Sequence, residues 1–224
     1  MSVLIPALNE AATIQATVQG AWATGLVDEV VVIDDASSDG TGELAAAAGA
    51  AVVRRPAPGG KGEALNAGLR AATGEVLVAL DGDIGESAVE AGKLIAPVLA
   101  GEADLTIARF PKAKRKGGFG LVKGLARFGI RHLAGLEVES PLSGQRAMRR
   151  RVIEELGGFA SGYGVEVGMT IDACRLGFTV REVPVNMTHR ETGRDLAGFW
   201  HRGQQFVHVA RELARRVVRG GARR

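Results

Sequence analysis

Short aliphatic runs recur through the first half of the chain, separated by polar or alanine-rich segments of helical length. These runs are Val3–Ile5, Val30–Ile33, Ala51–Val53, Val76–Leu80 and Leu105–Ile107. Each is too short for a helix and lacks the polar–apolar alternation of a strand with one face in water. The pattern therefore predicts strands that are buried on both faces, as in a mostly parallel sheet.

The segments between these runs contain residues that favour helix starts. Asn9 or Glu10 precedes the first, Asp39–Thr41 the second, and Gly62 or Glu63 the third. Strands alternating with helices predict an α/β fold, a mostly parallel Rossmann-like sheet flanked by helices. Ligands of such sheets bind at the carboxyl ends of the strands.

The second half of the chain is organised differently. Residues 112–120 read KAKRKGGFG, which predicts a loop, and a helical pattern with basic residues at positions 123, 127 and 131 follows. Residues 196–224 predict a basic amphipathic helix. Its expected apolar stripe consists of Leu196, Phe199, Trp200, Phe206, Ala210, Leu213 and Val217. With no convincing linker, we predict one domain over 1–224, divided into 1–104, 105–195 and the C-terminal helix.

Charge is distributed unevenly between the two halves. Residues 1–104 hold 5 Lys/Arg against 15 Asp/Glu, whereas residues 105–224 hold 23 against 10. The first half therefore suits a cation and the second an anion. Aromatic residues do not alternate with the basic ones as they do in base-stacking surfaces, so no nucleic-acid partner is expected.

Cysteine content and hydropathy indicate the compartment. The single cysteine, Cys174, cannot form an intramolecular disulfide, and no apolar run approaches the length of a membrane span. The first ten residues lack the basic leader of a signal peptide. These features predict a cytoplasmic protein, with peripheral contact to the inner face of the cell membrane as an alternative.

The triplet Asp81-Gly82-Asp83 directly follows a predicted strand. Two carboxylates beside a residue small enough for close approach suit Mg²⁺ or Mn²⁺, which prefer oxygen ligands and bridge to phosphates. A plain Asp/Gly turn after a strand is the alternative interpretation.

Two other segments could contact a nucleotide. Asp34 and Asp35 follow a strand and can accept hydrogen bonds from a base or ribose, or cap the next helix. Lys61 lies in the Gly59–Gly62 turn, a plausible phosphate contact although it lacks the spacing of a P-loop.

Together, in this order, these motifs resemble the family 2 glycosyltransferases of the GT-A fold. The motifs are VLIPALNE at 3–10, VVVIDDASSDGT at 30–41, GGKGEALNAGL at 59–69 and LDGD at 80–83. Further motifs resemble the branch that glycosylates polyprenyl phosphates: SGQRA at 143–147, GYGVEVGMTIDACRLG at 162–177 and VREVPV at 180–185. The pair at 189–190 instead is similar to glucosyl-3-phosphoglycerate synthases.

The resemblance implies a nucleotide-sugar donor site and a metal site in the first half. The implied donor-binding residues are Pro6, Asn9, Glu10, Asp34, Asp35, Lys61 and Asp81. The implied metal ligands are Asp81, Asp83 and His189, holding Mg²⁺ or Mn²⁺ on the diphosphate. A UDP-sugar is preferred over a GDP-sugar.

The resemblance also implies an acceptor site for a phosphorylated molecule such as a polyprenyl phosphate. The implied acceptor-binding residues are Gln145, Arg146, Arg190 and Arg194. The catalytic assignments are Asp83, Arg146 and Glu166, the last as a general base for a hydroxyl acceptor. A buried structural role for Glu166, paired with an arginine, is the alternative.

Three other functions remain open at this point. They are transfer to a small phosphorylated acid, as by glucosyl-3-phosphoglycerate synthases, sugar nucleotidyl transfer, and sugar-nucleotide binding without catalysis. Nucleotidyltransferases usually carry a basic Gly-rich loop after the first strand, where this chain has Ala7–Glu10. The basic helices are either solvated or in contact with an anionic membrane surface. Oligomeric state is not indicated.

Overall fold

The structure is a computed structural model that describes residues 1–111, 120–160, 165–188, 206–207 and 209–217. Seven strands form one sheet: β1 (Ser2–Ala7), β2 (Glu29–Asp34), β3 (Ala51–Arg54), β4 (Val76–Ala79), β5 (Leu105–Arg109), β6 (Arg146–Arg149) and β7 (Val180–Pro184). The helices are α1 (Ile14–Trp22), α2 (Thr41–Ala47), α3 (Lys61–Ala71), α4 (Ala91–Leu99), α5 (Leu121–Ala134), α6 (Arg150–Glu155) and α7 (Val165–Arg175), with a 3-10 helix at Gly85–Glu90.

The sheet has the order β3-β2-β1-β4-β6-β5-β7, and only β6 runs antiparallel to its neighbours. The carboxyl ends of β1, β2 and β4 therefore meet at one edge, which we call the active edge. Because β6 is antiparallel, it begins at that same edge. The predicted α/β class is confirmed, and each of the five predicted aliphatic runs forms a strand.

Aliphatic side chains pack on both faces of the sheet. One face carries Val3, Ile5, Val30, Val32 and Val78 against α1 and α4, and the other carries Leu4, Val31, Ile33 and Leu77 against α3. Close packing of α3 depends on Gly68, because a Cβ there would lie 2.6 Å from Ile33 Cδ1. Burial on both faces explains why the strands read as continuous aliphatic runs.

The predicted start of the first helix at Asn9 or Glu10 is wrong, since α1 begins at Ile14. Asn9 has a left-handed backbone with φ 57° and lies outside the helix. The Glu10 carbonyl accepts the N–H groups of Thr13 and Ile14 in a turn that leads into α1, while the N–H groups of Asn9 and Glu10 bond to the loop after β2.

The C-terminal segment is helical at 206–207 and 209–217. Val209 and Leu213 are buried with α5 and α7, and Leu213 lies against Gly129. The Arg175 side chain donates to the carbonyls of Leu133, in α5, and Arg216. Gly129 thus lies near Leu213, and Leu133 lies near Arg216. Because residue numbers increase together along both elements, the segment and α5 run in the same direction.

The buried face of this segment differs from the predicted stripe. Phe206 and Val217 are 41% and 57% exposed, whereas Arg216 is buried and pairs with Asp172 and Glu212. Arg216 packs over Gly168 of α7, where a buried ion pair replaces the apolar contact that the pattern suggested. Within the described residues, no helix has both the length and the apolarity that crossing a membrane requires.

Candidate functional site

A cavity of about 290 Å³ lies at the active edge. It is lined by six of the residues that the sequence assigned to donor or metal binding. They are Pro6, Glu10, Asp35, Lys61, Asp81 and Asp83. They come from the ends of β1, β2 and β4 and the start of α3, so parallel pairing of the strands assembles the site.

Two loops at this edge are bonded to each other. The backbone N–H of Asn9 donates to Ser37 Oγ at 3.0 Å, and Asn9 Oδ1 accepts the N–H of Ser38 at 3.0 Å. The N–H of Glu10 donates to Thr41 Oγ1 at 2.9 Å. Asn9 is therefore not among the residues that line the cavity, and it supports the loop beside the cavity.

The adjacent carboxylates Asp34 and Asp35 have different partners. Asp34 Oδ1 accepts the N–H of Ser37 at 2.8 Å and holds the turn after β2. Asp35 accepts the N–H groups of Gly59 and Gly60, at 3.1 and 2.9 Å, and pairs with Arg55. Asp35 faces the cavity and ties it to the start of α3, whereas Asp34 is a structural residue of the loop.

Ala36, between these carboxylates and Ser37, has φ 68°. A left-handed backbone at a residue with a Cβ costs roughly 1 kcal/mol. We therefore expect Ala36→Gly to raise the free energy of unfolding by a few tenths of a kcal/mol to about 1 kcal/mol, measured by urea denaturation. The matched control is Ala46→Gly, at an exposed position inside α2, which should lower stability by about 1 kcal/mol. A loss of stability in both variants would contradict strain at Ala36.

Lys61, the first residue of α3, lies between two carboxylates. Its Nζ is 2.6 Å from Asp81 Oδ1 and 3.5 Å from Glu166 Oε1. Burial lowers the pKa of Lys61, but attraction to the two carboxylates outweighs it and holds the pKa above its ordinary value. The stabilising effect is therefore present at neutral pH and is lost only as the pH rises above the ordinary lysine range.

Asp81 is also held by a residue from the second half of the chain. Gln145 Nε2 donates to Asp81 Oδ2 at 2.6 Å, so each oxygen of this carboxylate accepts a bond. The backbone passes so close at Gly144 that a Cβ there would collide with Lys61 Nζ and lie 3.1 Å from Asp81. Gly144 therefore permits the contact between the two halves of the site.

Arg146, the first residue of β6, is 2% exposed. Its Nε donates to the Ser143 carbonyl at 2.9 Å and its Nη1 to Thr170 Oγ1 at 3.0 Å. Within the described part of the chain, Nη2 has no hydrogen-bond partner. Burial lowers the pKa of Arg146 to about 10, and the charges of Glu166 and Glu182 partly oppose this. The guanidinium is thus charged at neutral pH, with one buried donor available for an anion.

The donor set at the cavity fits a hard divalent cation. Asp81 and Asp83 both line it and supply carboxylate oxygens, which Mg²⁺ and Mn²⁺ prefer. Within the described ranges, no three His, Cys, Asp or Glu side chains are placed so that together they could hold a metal ion. The predicted third ligand His189, together with Arg190 and Arg194, lies outside those ranges.

Several contacts were not anticipated from the sequence. Arg55 forms an ion pair with Asp35, and Thr170 Oγ1 accepts a hydrogen bond from Arg146. Asn66 of α3 exchanges two hydrogen bonds of 2.8 Å with the backbone of Phe159, which holds the segment before α7. These partners are 20 to 93 residues apart in the chain, and no local pattern connects them.

Comparisons with known proteins match this architecture. The family model described as Glycosyl transferase family 2 matches residues 2–157. Glucosyl-3-phosphoglycerate synthase of Mycobacterium tuberculosis is 36% identical over 198 residues, which cover 77% of this chain and 60% of that protein. Polyprenol monophosphomannose synthase of Mycolicibacterium smegmatis is 32% identical, over 85% of this chain and 78% of that protein.

A solved structure is similar over nearly the whole chain. The M. tuberculosis glucosyl-3-phosphoglycerate synthase in complex with Mn²⁺, UDP-glucose and phosphoglyceric acid has a TM-score of 0.80 and 34% identity. The match covers 96% of this chain and 78% of that one. The chain spans only about 60% of the curated mycobacterial synthases to which it aligns.

Proposed function

Because the chain belongs to glycosyl transferase family 2, we propose that it transfers a hexose from a nucleotide-sugar to a phosphorylated acceptor. A UDP-sugar is the preferred donor, with a GDP-sugar as the alternative. The observation that carries the proposal is the junction of two differently charged sites. The acidic cavity at the active edge meets the buried Arg146 and Glu166 through Lys61 and Gln145.

In the proposed complex, the cavity binds the nucleoside diphosphate of the donor. Asp35 is held by Arg55 and by the Gly59 and Gly60 N–H groups, so its carboxylate is fixed where a ribose or base can donate to it. Lys61 is charged and lies beside Asp81, where it can meet a diphosphate oxygen. The chain thus orients the donor through one carboxylate and one ammonium.

Asp81 and Asp83 would hold Mg²⁺ or Mn²⁺, as the metal-containing complexes of the mycobacterial synthase suggest. A divalent ion supplies charge neutralisation for the departing nucleoside diphosphate. Gln145 and Lys61 fix the orientation of Asp81, so that this carboxylate needs little reorganisation when the donor arrives.

The acceptor is proposed to bind between α7 and the start of β6. The unpartnered Nη2 of Arg146 and the lowered pKa of its guanidinium both favour an incoming anion beside Glu166. Glu166 is 14% exposed and paired with Lys61, and it can accept a proton from a hydroxyl acceptor. The proposed roles of Gln145, Arg190 and Arg194 as acceptor contacts remain predictions.

Two acceptor classes fit this chemistry, a small phosphorylated acid and a polyprenyl phosphate. Family relatives of both types are similar to this chain. A polyprenyl phosphate would require a peripheral contact of the protein with the membrane surface. A small acid would not.

The proposal is tested by a donor and acceptor screen. Release of UDP or GDP from UDP- and GDP-linked glucose and mannose is measured with and without Mn²⁺, and then with 3-phosphoglycerate or polyprenyl phosphate added. We expect Mn²⁺-dependent release from a UDP-sugar that one acceptor accelerates at least tenfold. Calorimetric donor binding without turnover on any acceptor would indicate a non-catalytic module. Pyrophosphate release from a nucleoside triphosphate and a sugar phosphate would indicate nucleotidyl transfer.

A further inference from the structure

Helix α5 has one face in the core and one in solvent. Ala126, Gly129 and Ile130 are buried. On the opposite side Leu121 is 66% exposed and Phe128 is 60% exposed. Two large apolar side chains are thus exposed on one side of α5, and exposed apolar groups beside charged ones are typical of interaction surfaces.

A stripe of basic side chains runs along α5 on one side of these two apolar residues, and Arg131 is the nearest of them around the helix. Lys123, Arg127 and Arg131 are exposed at four-residue steps. Arg131 is 3.5 Å from Glu137, and no ion pair of Lys123 or Arg127 occurs within the described ranges. We call Leu121, Lys123, Arg127, Phe128 and Arg131 the basic–apolar face.

The C-terminal segment extends this surface. It runs in the same direction as α5, so its first described residues lie toward the start of α5. Two of them, Phe206 and Val207, are 41% and 45% exposed. Exposed apolar side chains are therefore present at the same end of both helices.

The connectivity of α5 relates this face to the site. The chain leaves the active edge at Arg109, the end of β5, and returns to it at Arg146, the start of β6. Helix α5 is the described helix of that connection. A surface that binds α5 would therefore lie on the half of the molecule that carries Arg146 and Glu166, the acceptor half.

We propose that the basic–apolar face docks the protein onto an anionic lipid bilayer. The cations would attract acidic headgroups, while Leu121 and Phe128 enter the boundary between headgroups and acyl chains. A second copy of the chain is a poorer occupant, because a two-fold contact would bring the like charges of Lys123, Arg127 and Arg131 from both copies to one interface. The docking surface locates the membrane contact of the proposed function and rests on that proposal.

The test measures binding of the full chain to sedimented vesicles without donor or acceptor. Vesicles of phosphatidylcholine alone are compared with vesicles containing about 30% phosphatidylglycerol, in low salt. We expect binding only to the anionic vesicles, and the double variant Lys123→Ala/Arg127→Ala should lower the partition coefficient by about 30-fold. The control Arg70→Ala/Arg181→Ala removes the same charge from exposed positions elsewhere and should change binding less than threefold.

A second variant tests the apolar part of the face. Leu121→Ser/Phe128→Ser should retain binding in low salt but lose the portion that survives about 1 M salt, where screening is nearly complete. Equal binding of the wild type to both vesicle types, or unchanged binding of Lys123→Ala/Arg127→Ala, would overturn the proposal. Sedimentation velocity tests whether the protein is a dimer. A dimer that either double variant dissociates would also overturn the proposal, because a second copy of the chain would then occupy this face. Donor hydrolysis without vesicles tests the proposed function separately and should be unchanged in both variants.

Discussion

Asp83→Ala is expected to lower glycosyl transfer by about 10³-fold or more while the protein stays folded. Asp83 lines the cavity at the active edge beside Asp81, after the strand that pairs with β1. Asp81 is engaged by Lys61 and Gln145. Removal of Asp83 would therefore leave a metal with only the carboxylate that is shared with two other groups.

This experiment measures kcat/KM for transfer together with Mn²⁺ binding by calorimetry in the presence of UDP. Both should fall together in Asp83→Ala. The control is Asp28→Ala, whose side chain is 82% exposed and pairs with the N-terminal ammonium, and which should keep wild-type activity. Wild-type transfer or wild-type Mn²⁺ affinity in Asp83→Ala would remove this residue from the metal site.

Lys61→Met is expected to lower transfer by roughly 10²–10³-fold, the usual effect of removing one well-placed donor to a developing charge. The expected effect on the metal is opposite to that of Asp83→Ala. With the ammonium gone, Asp81 Oδ1 loses the partner at 2.6 Å, and the cavity becomes more negative. Binding of Mn²⁺ without donor should therefore be as tight as in the wild type or tighter.

The matched control is Lys93→Met, since Lys93 also pairs with a carboxylate, Glu90 at 2.6 Å, but is half-exposed on α4. It should leave both transfer and Mn²⁺ binding unchanged. Weaker Mn²⁺ binding in Lys61→Met would show that Lys61 supports the metal site structurally. Transfer within threefold of the wild type would show that its charge is not used in the reaction.

The sequence was sufficient for five of the seven strands and for the position of the cavity, whereas β6 and β7 were not predicted. Runs such as Val30–Ile33 are continuous because both faces of their strands are buried, and the carboxyl ends of parallel strands must meet. This logic brought Asp35, Asp81 and Asp83 together. It required no knowledge of side-chain contacts.

The division of roles within the site was not predictable in this way. Asp34 and Asp35 are adjacent and chemically identical. Only the geometry of the turn directs Asp34 to the backbone N–H of Ser37 within the loop and Asp35 to the cavity. The burial of Arg146 depends on β6 inserting between β4 and β5. Local patterns carry no information about such long-range pairing, and the same reason applies to Arg216, whose pairing with Asp172 replaced an expected apolar contact.

The insertion of β6 also has a consequence for synthesis on the ribosome. Strands β1 to β4 can pair as soon as residues 1–79 have emerged, but β4 then has an open edge until Arg146–Arg149 follow. For about 70 residues of elongation the nascent chain presents the aliphatic strand Val76–Ala79 with one edge unpaired, which favours wrong pairing between chains. Slow translation over this interval should therefore lower the yield of folded protein more than a pause after Arg149.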